Sequence, residues 1–113
     1  MKKAIAALAL ALGATHSLSA LADEYTTNWD KVDRVIAYEN NFRVYGLNLA
    51  PNPAGCASLV SAYVDPSLSI AKKEGLNRAL IAALLSGREV KVKLRSGSCH
   101  NDGVPLIYGV QTR

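Results

Sequence analysis

The segment LNRALIAALLSGREVKVKLRSGSC, residues 76–99, changes its hydrophobic period in the middle. Its first half places leucine at every fourth position, as one face of an α-helix does. These leucines are Leu76, Leu80 and Leu84. Its second half alternates aliphatic and basic side chains over residues 90–95, as a strand with one buried and one solvated face does. Gly87 lies at the change of period, where a helix C-cap glycine is expected. The helical period runs from Ser69 to Ser86, so the sequence predicts a helix over these residues that leads directly into a strand. Gly75 weakens the early turn, and the firm part of the helix is therefore expected nearer Leu76.

Four more strands are predicted around this helix and strand. Residues 31–39 and 42–49 flank an Asn-Asn turn signal and predict a hairpin, and residues 58–64 and 104–112 predict two further strands. The resulting order is that of an OB-fold, a small, partly open Greek-key barrel. We therefore expect a mainly β protein, an OB-fold-like β-barrel with one α-helix between strands 3 and 4. An open α+β sheet with the helix on one face is the alternative.

The N-terminus has the three parts of a Sec-type signal peptide. MKK supplies positive charge, AIAALALALGA supplies an apolar run, and ALA at residues 20–22 supplies small residues before a cleavage site. A membrane anchor is the alternative, but the apolar run is shorter than the roughly 20 residues that a spanning helix needs. We expect residues 1–22 to be a signal peptide, and the protein to be exported to the periplasm or the medium.

Residues 23–113 are expected to form a single domain. Cleavage would leave 91 residues, enough for one small core, and would lower the formal net charge from +4 to +2 because two lysines leave with the signal. A charge this close to neutral does not favour nucleic acid as a partner. No other segment has the length of a transmembrane helix.

The cysteines of the chain are Cys56 and Cys99, and an exported context favours a disulfide between them. Closing a loop of about 44 residues would stabilise the domain by roughly 4 kcal/mol in the chain-entropy model. A redox-active pair is the alternative, but the Cys-x-x-Cys spacing that lowers the pKa of a thiol is missing. We therefore expect a structural disulfide.

The sequence offers little catalytic or metal-binding chemistry. His100 is the one histidine after the predicted cleavage site, and it lies in a loop rich in glycine, asparagine and aspartate. A serine triad within that loop is the enzymatic alternative, although residues so close along an extended chain rarely converge. Its members would be Ser96 or Ser98, His100 and Asp102. One histidine, two paired cysteines and scattered carboxylates do not assemble a metal site. We expect no enzymatic activity, no cofactor and no metal.

Aromatic and basic side chains on the predicted strands form a candidate binding surface. OB-folds use such side chains to stack on bases and follow phosphates, and the same fold binds oligosaccharides. Each residue also has a structural interpretation, because strand tyrosines commonly pack their rings and a lysine row commonly marks the solvated face of an edge strand. The candidate residues are Arg34, Tyr38, Arg43, Tyr45, Lys91, Lys93 and Arg95.

The run KKEGLNRALIAALLSGREVKVKLRSGSC, residues 72–99, followed by PLIYGV, residues 105–110, is similar to small exported bacterial proteins. In these proteins an amphipathic helix ends near Ser-Gly and is followed by a V-x-V strand, a cysteine and a last strand. The layout also resembles the pentameric B subunits of bacterial toxins, particularly the subtilase cytotoxin type. Those subunits are OB-folds that combine a disulfide with glycan binding, so the resemblance implies a glycan-binding homo-oligomer. No glycan-contacting motif of that family matches this chain position by position.

The sequence therefore predicts an exported, non-enzymatic binding module that recognises a carbohydrate or a protein surface. The alternative is a periplasmic structural or inhibitory protein that binds an envelope protein partner. The two hypotheses differ in ligand. A carbohydrate-binding module predicts binding to sugar, whereas the periplasmic protein predicts a stoichiometric protein partner and no sugar.

Overall fold

The computed structural model describes residues 24–113, which form one curled sheet of seven strands and one α-helix. The strands are β1 (Glu24–Tyr25), β2 (Asp30–Lys31), β3 (Arg34–Ala37), β4 (Phe42–Tyr45), β5 (Ser61–Val64), β6 (Glu89–Cys99) and β7 (Pro105–Thr112). The helix, α1, spans Ile70–Ser86 between β5 and β6. The predicted signal peptide lies outside the described residues.

The strands are hydrogen-bonded in the order β1-β6-β7-β5-β4-β3, with β2 also pairing with β6. Every pair is antiparallel except β5 with β7, which is parallel. The five strands of at least four residues, β3 to β7, follow the predicted order with the helix after the third. The sheet curls into a half-barrel, so the predicted fold class is confirmed.

Two short N-terminal strands change the position of β6 in the sheet. β1 and β2 pair with β6 on the side opposite β7, so β6 has hydrogen-bonded neighbours on both sides. The pairs are Glu24 with Leu94, Tyr25 with Lys93, Asp30 with Val90, and Lys31 with Glu89. The expectation that the lysine row of β6 marks an exposed edge strand is therefore wrong. A strand of two residues is too short to show an alternating pattern in the sequence. β1 and β2 become strands because they pair with the long strand β6.

The core lies between the inner face of the curled sheet and α1. Val92 and Leu94 of β6, Ile107 of β7 and Leu80 of α1 are fully buried there. The other leucines of the predicted helix stripe, Leu76 and Leu84, are partly buried and pack against this cluster. The alternation in β6 therefore has the predicted direction, with its aliphatic side chains inward.

The ends of α1 follow from two residues outside the helix. The side chain of Ser69 accepts a hydrogen bond from the backbone N–H of Lys72 at 3.3 Å and caps the first turn. The helix therefore spans the predicted range, beginning at Ile70, and Gly75 does not delay its start to Leu76. Gly87 adopts the left-handed conformation at φ 67° and its N–H donates to the carbonyl of Ala83, which confirms the predicted C-cap. No helix in the described part of the chain is long and apolar enough to span a membrane.

Cys56 and Cys99 form the predicted disulfide. The bond joins the loop between β4 and β5 to the end of β6, two segments that are 43 residues apart in the chain. Neither cysteine is free. The disulfide therefore holds a long connection against the sheet.

Candidate functional site

The outer face of β4 and β5 carries an aromatic and basic cluster. Because side chains alternate along a strand, Phe42 and Val44 enter the core while Arg43 and Tyr45 lie on the outer face. The antiparallel register then places Arg43 directly opposite Tyr63 of β5. We call this cluster the tyrosine patch. It comprises Tyr38, Arg43, Tyr45, Tyr63, His100 and Asp102.

Arg43 lies at the centre of the tyrosine patch. Its guanidinium carbon is 5.1 Å from the ring centroid of Tyr63 and 5.2 Å from that of Tyr45. Its Nε donates a hydrogen bond to Oγ of Ser61 at 2.7 Å, and its Nη2 lies 3.8 Å from the carboxylate of Asp102. The cation is thus held between two rings and two oxygen acceptors.

The loop between β6 and β7 adds a histidine and an aspartate to the same cluster. The ring of His100 stacks on that of Tyr63 with centroids 3.8 Å apart, and its Nδ1 lies 2.8 Å from Oδ1 of Asp102. Burial opposes ionisation of Asp102, but the hydrogen bond and charge of His100 and the charge of Arg43 together hold the pKa of Asp102 below its ordinary value. Asp102 is therefore an anion at neutral pH.

Tyr63 connects the two halves of the tyrosine patch. Burial and the neighbouring carboxylate of Asp102 raise the pKa of Tyr63 above its ordinary value, although the charge of Arg43 acts in the opposite direction. The phenol is therefore neutral and hydrogen-bonds with Asp102. Its ring also lies 6.4 Å from that of Tyr38 in the β3–β4 turn.

The His100–Asp102 hydrogen bond is the contact that two members of the alternative serine triad would make. In this structure, however, the ring of His100 is stacked on Tyr63 and the carboxylate of Asp102 faces Arg43. Both groups thus take part in holding the tyrosine patch together. Within residues 24–113, no group of three or more histidine, cysteine, aspartate or glutamate side chains is arranged to hold a metal ion.

The basic side chains of β6 form a second outer cluster, the basic row, which consists of Lys91, Lys93 and Arg95. Nζ of Lys91 lies 5.3 Å from the centroid of the Trp29 ring, and Nζ of Lys93 lies 5.6 Å from the centroid of the Tyr25 ring. Such cation–π contacts contribute about 0.5–1 kcal/mol each at exposed sites. The side chains of the basic row are half-buried, and aromatic rings lie beside them.

A β-bulge and an ion pair complete the basic row. The pairing of β6 with β7 shifts between Lys93 and Leu94, which leaves Tyr108 as the extra residue of β7. Its ring lies 5.5 Å from Lys93 and 4.2 Å from the guanidinium of Arg95. Arg95 also donates from Nε to the buried carboxylate of Asp65 at 2.9 Å. The guanidinium of Arg95 is therefore held by the ring of Tyr108 and by the carboxylate of Asp65.

The structure divides the seven predicted surface residues into two groups. Arg34 lies over the ring of Tyr45 at 4.0 Å and so adjoins the tyrosine patch, which itself contains Tyr38, Arg43 and Tyr45. The basic row lies on β6, and β7 separates it from β5. The two groups therefore lie on different strands, and the ion pair of Arg95 with Asp65 links the basic row to the end of β5.

Sequence reasoning did not assign Tyr63, His100 and Asp102 to the binding surface. The alternation in SAYV would have placed Tyr63 on the same face as its neighbours of β4, had the register been known. The parallel pairing of β5 with β7 brings the β6–β7 loop beside β5. No local pattern in the loop itself encodes that contact.

A cleft adjoins the tyrosine patch on the side of the helix. It has a volume of about 340 Å³ and is formed by the β3–β4 turn and the first half of α1. Tyr38 lines this cleft as well as belonging to the patch. The patch and the cleft are therefore continuous.

The sequence matches no protein-family model, and no curated protein is detectably similar to it. The resemblance to toxin B subunits accordingly stays a prediction.

Proposed function

We propose that this protein is an exported, non-enzymatic binding module that recognises a carbohydrate through the tyrosine patch. The observation that carries the proposal is the position of the patch in the fold. OB-folds bind oligonucleotides and oligosaccharides on the face of their second and third strands and on the loops between strands 1 and 2 and between strands 4 and 5. With β3 to β7 as the five strands, the patch occupies these three places.

The chemistry of the tyrosine patch favours a sugar over a phosphate chain. Tyr38 is 49% exposed and offers a ring face to which a ligand can pack. The carboxylate of Asp102 matches the positive charge of Arg43 and so lowers the attraction of the patch for a polyanion, although Arg34 adds one positive charge at its edge. Hydroxyl groups both donate and accept, so they suit the neighbouring phenol, carboxylate and guanidinium groups.

The geometry also favours binding with little rearrangement. Arg43 and His100 are held by contacts within the patch before any ligand arrives. A site whose side chains are already ordered loses less conformational entropy on binding. The disulfide supports the exported setting, because such bonds persist in oxidising compartments.

A glycan array probed with the purified protein tests the proposal, with Tyr38→Ala as the patch variant. Tyr25→Ala is the matched control, because Tyr25 is also exposed, at 40%, but lies on β1 beside the basic row. If loss of ring stacking is worth about 1–3 kcal/mol, as for aromatic stacking on nucleic-acid bases, Tyr38→Ala weakens binding about 5- to 150-fold and Tyr25→Ala leaves it unchanged. Absence of binding to every glycan, or equal weakening by both variants, contradicts the proposal.

A second function, binding of an envelope protein partner, is favoured by a different surface. The later half of α1 exposes apolar side chains, and Leu85 is 81% exposed. Such a surface suits a protein partner or a second copy of the chain. In a pull-down from an envelope extract, this function predicts a stoichiometric protein that Leu85→Glu releases and Tyr38→Ala retains.

A further inference from the structure

The basic row carries positive charge that the rest of the structure leaves only partly neutralised. Arg95 is paired with the carboxylate of Asp65. No carboxylate of residues 24–113 lies within ion-pair distance of Lys91 or Lys93. Both lysines extend from the outer face of β6 and are partly exposed, because Val92 between them is fully buried in the core. Two ammonium groups of the row can therefore be reached by an anion from solvent.

Aromatic rings restrain the two lysines before any ligand binds. Nζ of Lys93 lies 5.6 Å from the ring centroid of Tyr25 on β1 and 5.5 Å from that of Tyr108 on β7, the two strands that flank β6. Nζ of Lys91 lies 5.3 Å from the ring centroid of Trp29. A lysine that is already restrained loses less side-chain entropy when it pairs with an anion.

The shape of the basic row favours a chain of anionic groups over a single small anion. The sheet curls around the core, so the outer face of β6 is convex, and the side chains of Lys91 and Lys93 leave the strand about 7 Å apart. One ion pair at an exposed position is weak and is screened by salt. A linear polymer with an acidic group on successive units can pair with both lysines at once, and linked contacts add to one another. The row therefore suits a linear polyanion.

The surroundings of the basic row favour an acidic polysaccharide over nucleic acid or a membrane. Nucleic-acid bases need free ring faces for stacking, but the rings of Trp29 and Tyr108 already contact guanidinium groups, whose carbons lie 5.0 and 4.2 Å from the ring centroids. A planar bilayer can touch only part of a convex face. Acidic sugar units bring anions to the lysines and hydroxyl groups to the exposed amide of Gln111, which is directly opposite Lys91 on β7.

We propose that the basic row is a second binding surface of this protein and that its ligand is a linear acidic polysaccharide. Acidic groups on successive units of the chain pair with Lys91 and Lys93, and the chain follows β6 past the rings of Tyr25 and Trp29. This surface goes beyond the proposed function, because the tyrosine patch lies on β4, β5 and the neighbouring loops.

Isothermal titration calorimetry with an oligogalacturonate and with dextran sulfate tests the proposal, with uncharged dextran as the neutral comparison. The two acidic probes distinguish carboxylate from sulfate as the preferred anion. Lys91→Gln/Lys93→Gln is expected to weaken binding of the acidic chain about 2- to 30-fold at low salt and to lower its salt dependence. Lys72→Gln/Lys73→Gln removes the same charge from α1 and is the matched control, which should leave binding unchanged. Lys91→Arg/Lys93→Arg keeps the charge and is expected to keep binding.

Wild-type protein supplies an independent readout, because Trp29 is the single tryptophan of the chain and lies beside Lys91. Its fluorescence is expected to change with an acidic chain and to stay constant with dextran. The proposal is overturned if neither acidic chain binds, if Lys72→Gln/Lys73→Gln weakens binding as much as the β6 variant does, or if the arginine variant loses binding as well. Tighter binding of oligo(dT) or of phosphatidylglycerol vesicles also overturns it.

The proposed function is tested separately, by neutral saccharides and Tyr38→Ala. Tyr38→Ala is expected to bind the acidic chain as wild type does, because Tyr38 lies in the β3–β4 turn and not on β6. A loss of acidic-chain binding in Tyr38→Ala as large as in Lys91→Gln/Lys93→Gln would overturn the second surface. Neutral-saccharide binding that only Tyr38→Ala weakens would leave the proposed function standing in that case.

Discussion

Arg43 illustrates how single residues in this protein are held by several weak contacts at once. Its side chain lies between the rings of Tyr45 and Tyr63 and is hydrogen-bonded to Ser61. An arginine on a strand is ordinarily long and mobile, and ordering it costs about 2 kcal/mol of rotamer entropy. That cost is met during folding rather than at the moment of binding. Under the proposed function, this ordering reduces the entropy that Arg43 would lose when a ligand binds the tyrosine patch.

Gly46, which follows β4, is the glycine that the fold requires most strictly. Its φ is +95°, and a Cβ there would collide with Cβ of Asp33 and lie 2.9 Å from its backbone nitrogen. Gly46→Ala is expected to lower the free energy of unfolding by about 1–3 kcal/mol or more, as measured by urea denaturation. Gly55→Ala is the matched control, because Gly55 also has a positive φ, +64°, but nothing lies within 4 Å of its added Cβ. Equal losses in both variants would show that the close approach to Asp33 does not matter.

Asp65, directly after β5, is expected to make the free energy of unfolding depend on pH. Burial opposes its ionisation, but hydrogen bonds from Ser67 and Arg95, with the charge of Arg95, outweigh it and lower the pKa of Asp65. Because the pKa in the folded state is below that in the unfolded state, about 3.9, the stabilisation is present above pH 4 and disappears as the pH falls through the folded value.

Asp65→Asn tests this account. The variant is expected to be less stable than wild type by about 1–3 kcal/mol at pH 7 and to lose less further stability between pH 5 and pH 2. Urea denaturation at several pH values measures both quantities. Glu74→Gln, which breaks only an exposed ion pair with Arg78, serves as control and is expected to change stability by less than about 1 kcal/mol. If Asp65→Asn loses as much stability between pH 5 and pH 2 as wild type does, the role of Asp65 is contradicted. Part of the loss will remain in the variant, because the pKa of Asp102 is lowered too.

At the scale of elements, α1 combines a buried stripe with an exposed apolar end. Leu80 is fully buried against the sheet, whereas Leu85 is 81% exposed. Leu80→Ala is expected to lower the free energy of unfolding by about 2–5 kcal/mol, because it removes apolar contact and leaves a cavity. Leu85→Ala makes the same chemical change at the surface and is expected to stay within about 0.5 kcal/mol of wild type. A large loss in Leu85→Ala would mean that this leucine is buried in solution, as it would be in an oligomer.

The alternating pattern of β6 correctly predicts a strand and its inward face, but not the position of that strand in the sheet. Its alternation is real, and its outer face is basic as predicted. The basic side chains nevertheless lie against Trp29, Tyr25 and Tyr108, which come from three other places in the chain. Cations beside aromatic rings are partly desolvated and restrained. The basic row is therefore first a feature of sheet packing.

For the whole molecule, the disulfide is the strongest single constraint on the unfolded chain. It closes a loop between residues 43 positions apart, which corresponds to about 4 kcal/mol in the chain-entropy model. The double variant Cys56→Ala/Cys99→Ala is expected to lose roughly that much stability in urea denaturation. Wild type measured with a reducing agent is the comparison and should approach the double variant. A loss below about 1 kcal/mol in both would show that the loop between β4 and β5 is held by other contacts.

Much of the architecture could be predicted because its signals are local. The leucine spacing of α1, the cap at Gly87 and the alternation in β6 each involve residues within one or two turns or strands. The OB-like order followed from these elements, and the disulfide followed from the count of cysteines. β1 and β2 could not be predicted, because two residues in an extended conformation become a strand only when a partner is present.

The candidate site was predicted in part for the same reason. The sequence predicts that Tyr38, Arg43 and Tyr45 lie together because they are on or beside a hairpin whose pairing is local. Tyr63 and the His100–Asp102 pair joined them only through contacts between distant segments.

The sequence by itself determined the secondary structure of the larger elements, the inward and outward faces of β6 and the pairing of the cysteines, because periodicity and composition act along the chain. Only the tertiary structure decided which strands adjoin, that β6 has neighbours on both sides, and that residues from the β3–β4 hairpin, β5 and the β6–β7 loop form one patch. Those outcomes depend on hydrogen bonds and burial between segments far apart in the chain, where the free energy of each contact depends on all the others forming at once.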